Sequence, residues 1–292
     1  MSLALDGDTF TPTGVLSGSV SWEARRGCEI VGGLVYPRVT LSEMRSGGPS
    51  GASQMIKDFV VTSLGVAELE DAPKHGVSFM EARRYEEGER GSAPLRFLVE
   101  GAFPTMGKGF IEITYVLHAS VEVERAPDVT EKLTFRVLLP RGAYRDVESR
   151  ELRVTGREGD CELDILVPRR HMRPGESMTA TAVVRPLRDF TAKVGANLLE
   201  SHVSSRPGTR SKSEQTGRFY DHISYKDVEF TKGKAQRFPF IVRIPTDARP
   251  TCYTPSAANR WLAQCGLVPS DMKGWLNKNT PEAELEINVY NG

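Results

Sequence analysis

Apolar and polar residues alternate with a period of two over most of this chain. From Ile111 onward one face collects Ile111, Ile113, Tyr115, Leu117, Ala119, Val121 and Val123. The other collects Glu112, Thr114, His118, Ser120, Glu122 and Glu124, with Val116 the exception. That period predicts a long strand with one buried face and one wet one. The pattern recurs where Leu133, Phe135, Val137 and Leu139 alternate with Lys132, Thr134 and Arg136. Phe238, Phe240, Val242 and Ile244 share a face, as do Leu285, Ile287 and Val289 against Glu284, Glu286 and Asn288. Turn-rich breaks such as "RSGGPSG", "SSRPGTRSKSEQTG" and "TDARPT" separate these runs. Helical turns are expected only in 50–59, capped by Ser53, and in 269–278, capped by Ser270. Many short strands with such breaks predict an all-β chain built as sandwiches.

The order of elements is written twice. "TPTGVLSGSVSW" (11–22) and "MRPGESMTATAVV" (172–184) are each a turn that leads into a strand. Each is followed by further strands and then by an extended run that meets prolines. These runs are "LRFLVEGAFPTMGKGFIEITYVL" (95–117) and "RFPFIVRIPTDARPTCYTP" (237–255). Proline removes a ladder donor, so such an elbow suits a strand that leaves one sheet and crosses to the other. The repetition predicts two tandem antiparallel β-sandwiches, residues 1–158 and 159–292. Their boundary is expected near 155 to 165, within the polar, glycine-punctuated "RVTGREGDCELD" (153–164).

Composition narrows the classes. The chain has 292 residues, 39% of them hydrophobic and 26% charged, which is the make-up of a soluble globular protein with room for a real core. Lys and Arg total 38, as do Asp and Glu, so the formal net charge is zero. No global field then steers the chain to nucleic acid, and contact with an anionic surface is left to local patches. No run approaches the roughly 18 uninterrupted apolar residues of a membrane span. "MSLALDGDTF" has neither a basic n-region nor a long apolar stretch, so no signal peptide is expected and the cytoplasm is the expected location. Cys28, Cys161, Cys252 and Cys265 lack CxxC spacing and are expected as buried free thiols.

Candidate chemistry is sparse. "GAFPTMGKG" (101–109) imitates a phosphate loop, but five residues separate Gly101 from Gly107 where the motif has about four, and Gly109 follows Lys108. It also joins two strands and opens no helix. His75, His118, His171, His202 and His222 are dispersed without the close spacing of a zinc motif. No G-x-S-x-G elbow is present. Carboxylates such as Glu68, Glu70 and Asp71 read as solvated. Trp22 and Trp261 fall in strand patterns and read as core, and Trp275 as a cap over the second sandwich. The expected chain has no catalytic residues, no cofactor and no metal. One local patch stands out. "SSRPGTRSKSEQTGR" (204–218) sets Arg206, Arg210, Lys212 and Arg218 against Glu214 alone, and is read as a hairpin loop and a candidate contact for an acidic partner.

Taken in order, these motifs resemble the arrestin fold in its wider clan of arrestin-domain and Spo0M-like sporulation-control proteins. The residues that carry the resemblance are "LDGDTFTPTGVLSGSVSW" and "GKGFIEITYVLHASVEV" in the first half. In the second half they are "RPGESMTATAVV", "FPFIVRIP" and the proline elbow before "NRWLAQCGL". The resemblance covers nearly the whole chain. It implies two sandwiches in tandem whose faces bind partners, and hence a non-enzymatic scaffold or adaptor for proteins. Two other readings stand beside it: a carbohydrate-binding or hydrolytic β-sandwich, and a structural protein that assembles through its edge strands.

Overall fold

A computed structural model describes the chain except for residues 13, 46–52, 63–64, 99–101, 108–109, 140–151, 159–160, 206–211, 255–256, 270–281 and 292. It divides into two compact units, Met1–Leu139 and Pro140–Gly292.

The first unit contains β1 (Ser2–Leu5), β2 (Thr9–Phe10), β3 (Val15–Glu23), β4 (Cys28–Arg45), β5 (Ser53–Thr62) and β6 (Gly65–Glu68). A 3-10 turn (Leu69–Asp71) and the four-residue α1 (Ala72–His75) follow. Then come β7 (Val77–Met80), β8 (Arg83–Tyr85), β9 (Arg90–Leu98), β10 (Ile111–Val123) and β11 (Val129–Val137). One sheet runs β1-β3-β9. The larger runs β2-β11-β10-β4-β5-β6, with β7 and β8 also on β4.

The second unit contains β12 (Leu152–Glu158), β13 (Cys161–Val167), β14 (His171–Met172), β15 (Ser177–Pro186), β16 (Phe190–Ser205) and β17 (Lys212–Phe230). It ends with β18 (Gln236–Arg243), β19 (Cys252–Tyr253), β20 (Ala257–Pro269) and β21 (Glu282–Val289). Its sheets run β12-β13-β15-β18 and β14-β21-β20-β16-β17, with β19 on β20. One continuous core joins both, from Leu163, Ile165 and Phe240 to Leu198, Trp261 and Ile287.

Three expectations are corrected here. β12 pairs along its whole length with β13. The stretch expected as a boundary near 155 to 165 is therefore a strand of the second unit, and the division falls between Leu139 and Pro140. The sandwiches are not purely antiparallel either: β2 pairs β11 in parallel, and β14 pairs β21 in parallel. Residues 53–59 are not a helical turn. They are strand β5, which lines up Val60 with Arg38 and Asp58 with Thr40. β-branched Ile56, Val60, Val61 and Thr62 fit a pleated surface, and pairing with the long β4 outweighs the weak helical signal. The other expected turn lies, beyond Pro269, outside the described residues.

The two units share one wiring. β1-β3-β9 corresponds to β13-β15-β18, and β2-β11-β10-β4-β5 to β14-β21-β20-β16-β17. The correspondence extends to single hydrogen bonds. The Arg136 amide donates to the Asp8 carbonyl and the Leu138 amide to that of Phe10. In the second unit Asn288 donates to Arg170 and Tyr290 to Met172.

The proline elbows do what their sequence suggests. β9 lies in the small sheet and β10 in the large one, and β18 and β20 repeat that crossing. Each elbow also wedges between the last two strands of its unit. Met106 bridges to Ile113, and Cys252 pairs with Asn259. The residue before each is a threonine preceded by a buried proline. The Thr105 amide donates to the Val137 carbonyl at 2.8 Å, and the Val137 amide returns a bond to Thr105 Oγ1 at 2.7 Å. Thr251 and Val289 repeat this at 2.8 and 2.9 Å. Ten residues after each threonine an aromatic side chain donates back to the elbow. The Tyr115 hydroxyl reaches the Phe103 carbonyl and the Trp261 indole N–H reaches that of Arg249, both at 2.8 Å. The elbow thus satisfies main-chain groups that its own irregular path would otherwise strand.

Candidate functional site

The basic stretch predicted from sequence is the tip and one arm of the β16–β17 hairpin. Ser205 pairs with Lys212, so Lys212 and Arg218 belong to strand β17 and only 206–211 lies between the strands. The loop expected over 204–218 is shorter than its composition suggested, because the strands extend into it. Arg206 and Arg210 lie outside the described residues, and of Lys212 and Arg218 only the strand backbone is described. β17 is an edge strand. Its register against β16 shifts between Ala192 and Val194, between Ala196 and Leu198, and between Leu199 and Ser201. Asp227 takes a positive φ of 52° at the first of these. Such bulges twist an edge away from flat pairing with another chain.

The outward face of the large sheet in the first unit carries a charged and aromatic group. Tyr36, Arg38 and Thr40 follow one another on β4, with His118 beside Tyr36 and Lys132 beside His118. Arg38 bonds Asp58 at 2.5 Å, and Thr40 bonds it at 2.6 Å. Burial pushes the Asp58 carboxyl upward, but the Arg38 and Thr40 hydrogen bonds and the Arg38 and Lys132 charges outweigh it and hold it below the usual range. The Tyr36 and His118 rings lie 5.2 Å apart. Partial burial, then the positive charges of Lys132 and Arg38, hold His118 below the usual imidazole range.

The shared wiring turns the first unit into a control for the second. In register, Val39 matches Glu200, Leu41 matches His202, Ile113 matches Asn259, and Phe103 matches Arg249. Val39, Leu41 and Ile113 are buried apolar residues. Their counterparts are polar, whereas the first unit places its buried carboxylate, Glu43, one step further along the same face. Glu200 is 8% exposed and Asn259 fully buried. The Asn259 amide donates to the Pro250 carbonyl at 3.0 Å. Burial first, and then the Arg249 charge, pull the His202 imidazole down to about 4, against a smaller upward pull from Asn259. The sequence reading missed this group. Its signal was there: the inward series Val194, Ala196, Leu198 continues into Glu200 and His202.

The remaining candidates are scattered. His75 is in α1, His118 on the outward sheet face, and His171 beside Asn288 at 3.2 Å. His222 is in β17. Among the described residues, no three or more His, Cys, Asp or Glu side chains are placed to hold a metal ion. Carboxylates on the strands and in the β8–β9 turn meet arginines: Glu23 with Arg90, Glu89 with Arg83, Asp164 with Arg185, and Glu286 with Arg260. The phosphate-loop look-alike is the first elbow, with Gly101, Lys108 and Gly109 outside the described residues. All four cysteines are free. Cys161, Cys252 and Cys265 are buried, but Cys28 is partly exposed, a departure from the four buried thiols expected. Burial and the neighbouring Cys161 push the Cys265 thiol up to about 12, far from a reactive thiolate. Trp261 is fully buried, as expected, whereas Trp22 is only half-buried. Trp275 lies outside the described residues. No described helix is long and apolar enough to cross a membrane.

No protein-family model matches the chain, and no curated protein matches it.

Proposed function

We propose that this chain is a non-enzymatic adaptor of arrestin-like build, in the manner of the arrestin-domain and Spo0M-like proteins its motifs resemble, and that it acts in the cytoplasm. The observation that supports the reading is the repeated wiring of two sandwich-like units, each with a proline elbow between its sheets. A shared fold alone does not fix a function, so the surface matters. The sequence joining and entering the bulged edge strand β17 carries Arg206, Arg210, Lys212 and Arg218, and an acidic face of a protein partner complements that charge. The same bulges weigh against assembly by edge-to-edge pairing. A sugar-binding or hydrolytic role gains little support, since Trp22 is half-buried and the paired carboxylates are engaged by arginines. Affinity capture from native lysate, followed by mass spectrometry, tests the reading. A stoichiometric protein partner supports it, and recovery on immobilised oligosaccharide in place of any protein overturns it.

A further inference from the structure

The first unit holds a pocket of about 450 Å³ that neither the elbow nor the hairpin explains. Its floor is apolar: Ile30, Met80, Tyr85 and Val121 are 3–6% exposed. Trp22 forms a wall. Its indole is seated against Gly91, where a Cβ would come within 2.2 Å of the ring, and its centroid lies 5.7 Å from that of Phe79. The side wall is therefore fixed in place by the packing of β3 on β9. The mouth is basic. Arg25 and Arg26 line it and are exposed, and neither has an ion pair with a described residue. Among the described residues, the one acidic lining residue, Glu23, is held by Arg90 at 2.8 Å. The Cys28 thiol also lines the pocket.

We propose that this pocket binds a single-chain amphiphile with an anionic head, such as a medium-chain carboxylate. The volume falls within the roughly 300–1,000 Å³ of small-molecule sites. An apolar floor is filled by an alkyl tail with release of water. A sugar would strand its hydroxyls there, because the floor offers few hydrogen-bonding groups. The exposed rim arginines, Arg25 and Arg26, match a carboxylate, to which a guanidinium can present two parallel N–H bonds. The site is independent of the adaptor reading and survives its failure.

The test uses the full chain and dodecanoate below its micelle concentration. Binding of one dodecanoate per chain should perturb tryptophan emission through Trp22. It should also slow maleimide labelling of Cys28, the one partly exposed cysteine. Acetate should do neither, and dodecyltrimethylammonium should bind more weakly. The double reversal Arg25→Glu with Arg26→Glu should weaken dodecanoate by about tenfold, the joint effect of two surface ion pairs. Unchanged far-UV circular dichroism would show that this variant is folded. Ala126→Trp, which fills the mouth, should abolish protection of Cys28. Equal affinity for the anionic and cationic detergents, no loss in the double reversal, or binding to phosphatidylglycerol vesicles without binding to free dodecanoate would each overturn the proposal.

Discussion

Acidification should weaken the second unit through His202, and leucine at that position should remove the effect. The imidazole sits on the inner face of β16, where burial and the Arg249 charge depress its pKa from 6.5 to about 4. In the unfolded chain it titrates near 6.5. The unfolded state therefore takes up the proton first as pH falls. The stability contributed by neutral His202 is complete above pH 6.5 and is lost progressively between 6.5 and 4. A gap of about 2.5 units sets an upper limit of about 3 kcal/mol at 1.36 kcal/mol per unit, which solvent screening of the partly exposed ring lowers to about 1–2 kcal/mol. The first unit suggests the variant, since Leu41 occupies the matching position in the same wiring. The free-energy difference between wild type and His202→Leu, from urea unfolding, should shift by about 1–2 kcal/mol toward the variant from pH 7 to pH 4. Comparing the two proteins at each pH cancels the contribution of carboxylates such as Asp58, which both contain. Nuclear magnetic resonance gives the same answer directly: the imidazole signal missing from the variant should titrate near 4. Parallel stability curves, or a signal that titrates near 6.5, would refute the reasoning. His202→Gln guards against a simple packing loss, because it too lacks the titrating group.

The elbow latch predicts that Thr105→Val and Thr251→Val each leave one interior amide, of Val137 or Val289, without its acceptor. Each should cost about 1–3 kcal/mol in urea unfolding, while Thr→Ser at the same positions retains most of the stability; valine variants as stable as wild type would remove the latch from the account. The division into two units predicts that residues 1–139 and 140–292, expressed separately, each unfold cooperatively with a β-type circular dichroism spectrum. A fragment that stays disordered would place its stability in the other unit.

The strands were legible because burial on one face writes itself into the sequence. Ile111, Ile113, Tyr115, Leu117, Ala119 and Val121 are all buried, as their alternation predicts. Val123, the next in that series, is half-buried and lines the pocket. The crossing at each elbow was readable from proline. Its latch was readable only in retrospect, from Pro-Thr followed ten residues later by Tyr115 or Trp261. The parallel pairs were not readable, because β2 and β14 are two residues long and no period exists at that length. β5 was misread because its apolar residues do not alternate; Ile56 is 60% exposed while Val60 and Val61 are both buried. The polar end of the second core was hidden for another reason. A strand pattern marks which side a residue faces, not whether a polar side chain facing inward finds partners there. The pocket depends on Trp22, Tyr85 and Val121 meeting from three strands, which only the fold brings together.

The adaptor reading is tested most directly by the association rate of a captured protein partner. It is measured for wild type and for Arg210→Glu with Lys212→Glu, each at low and at physiological salt. Exposed charges steer encounter and are screened within about 8 Å at physiological ionic strength. The account predicts that salt slows association of the wild type, that the double reversal slows it further at low salt, and that dissociation changes little. Equal association rates in all four conditions would contradict it.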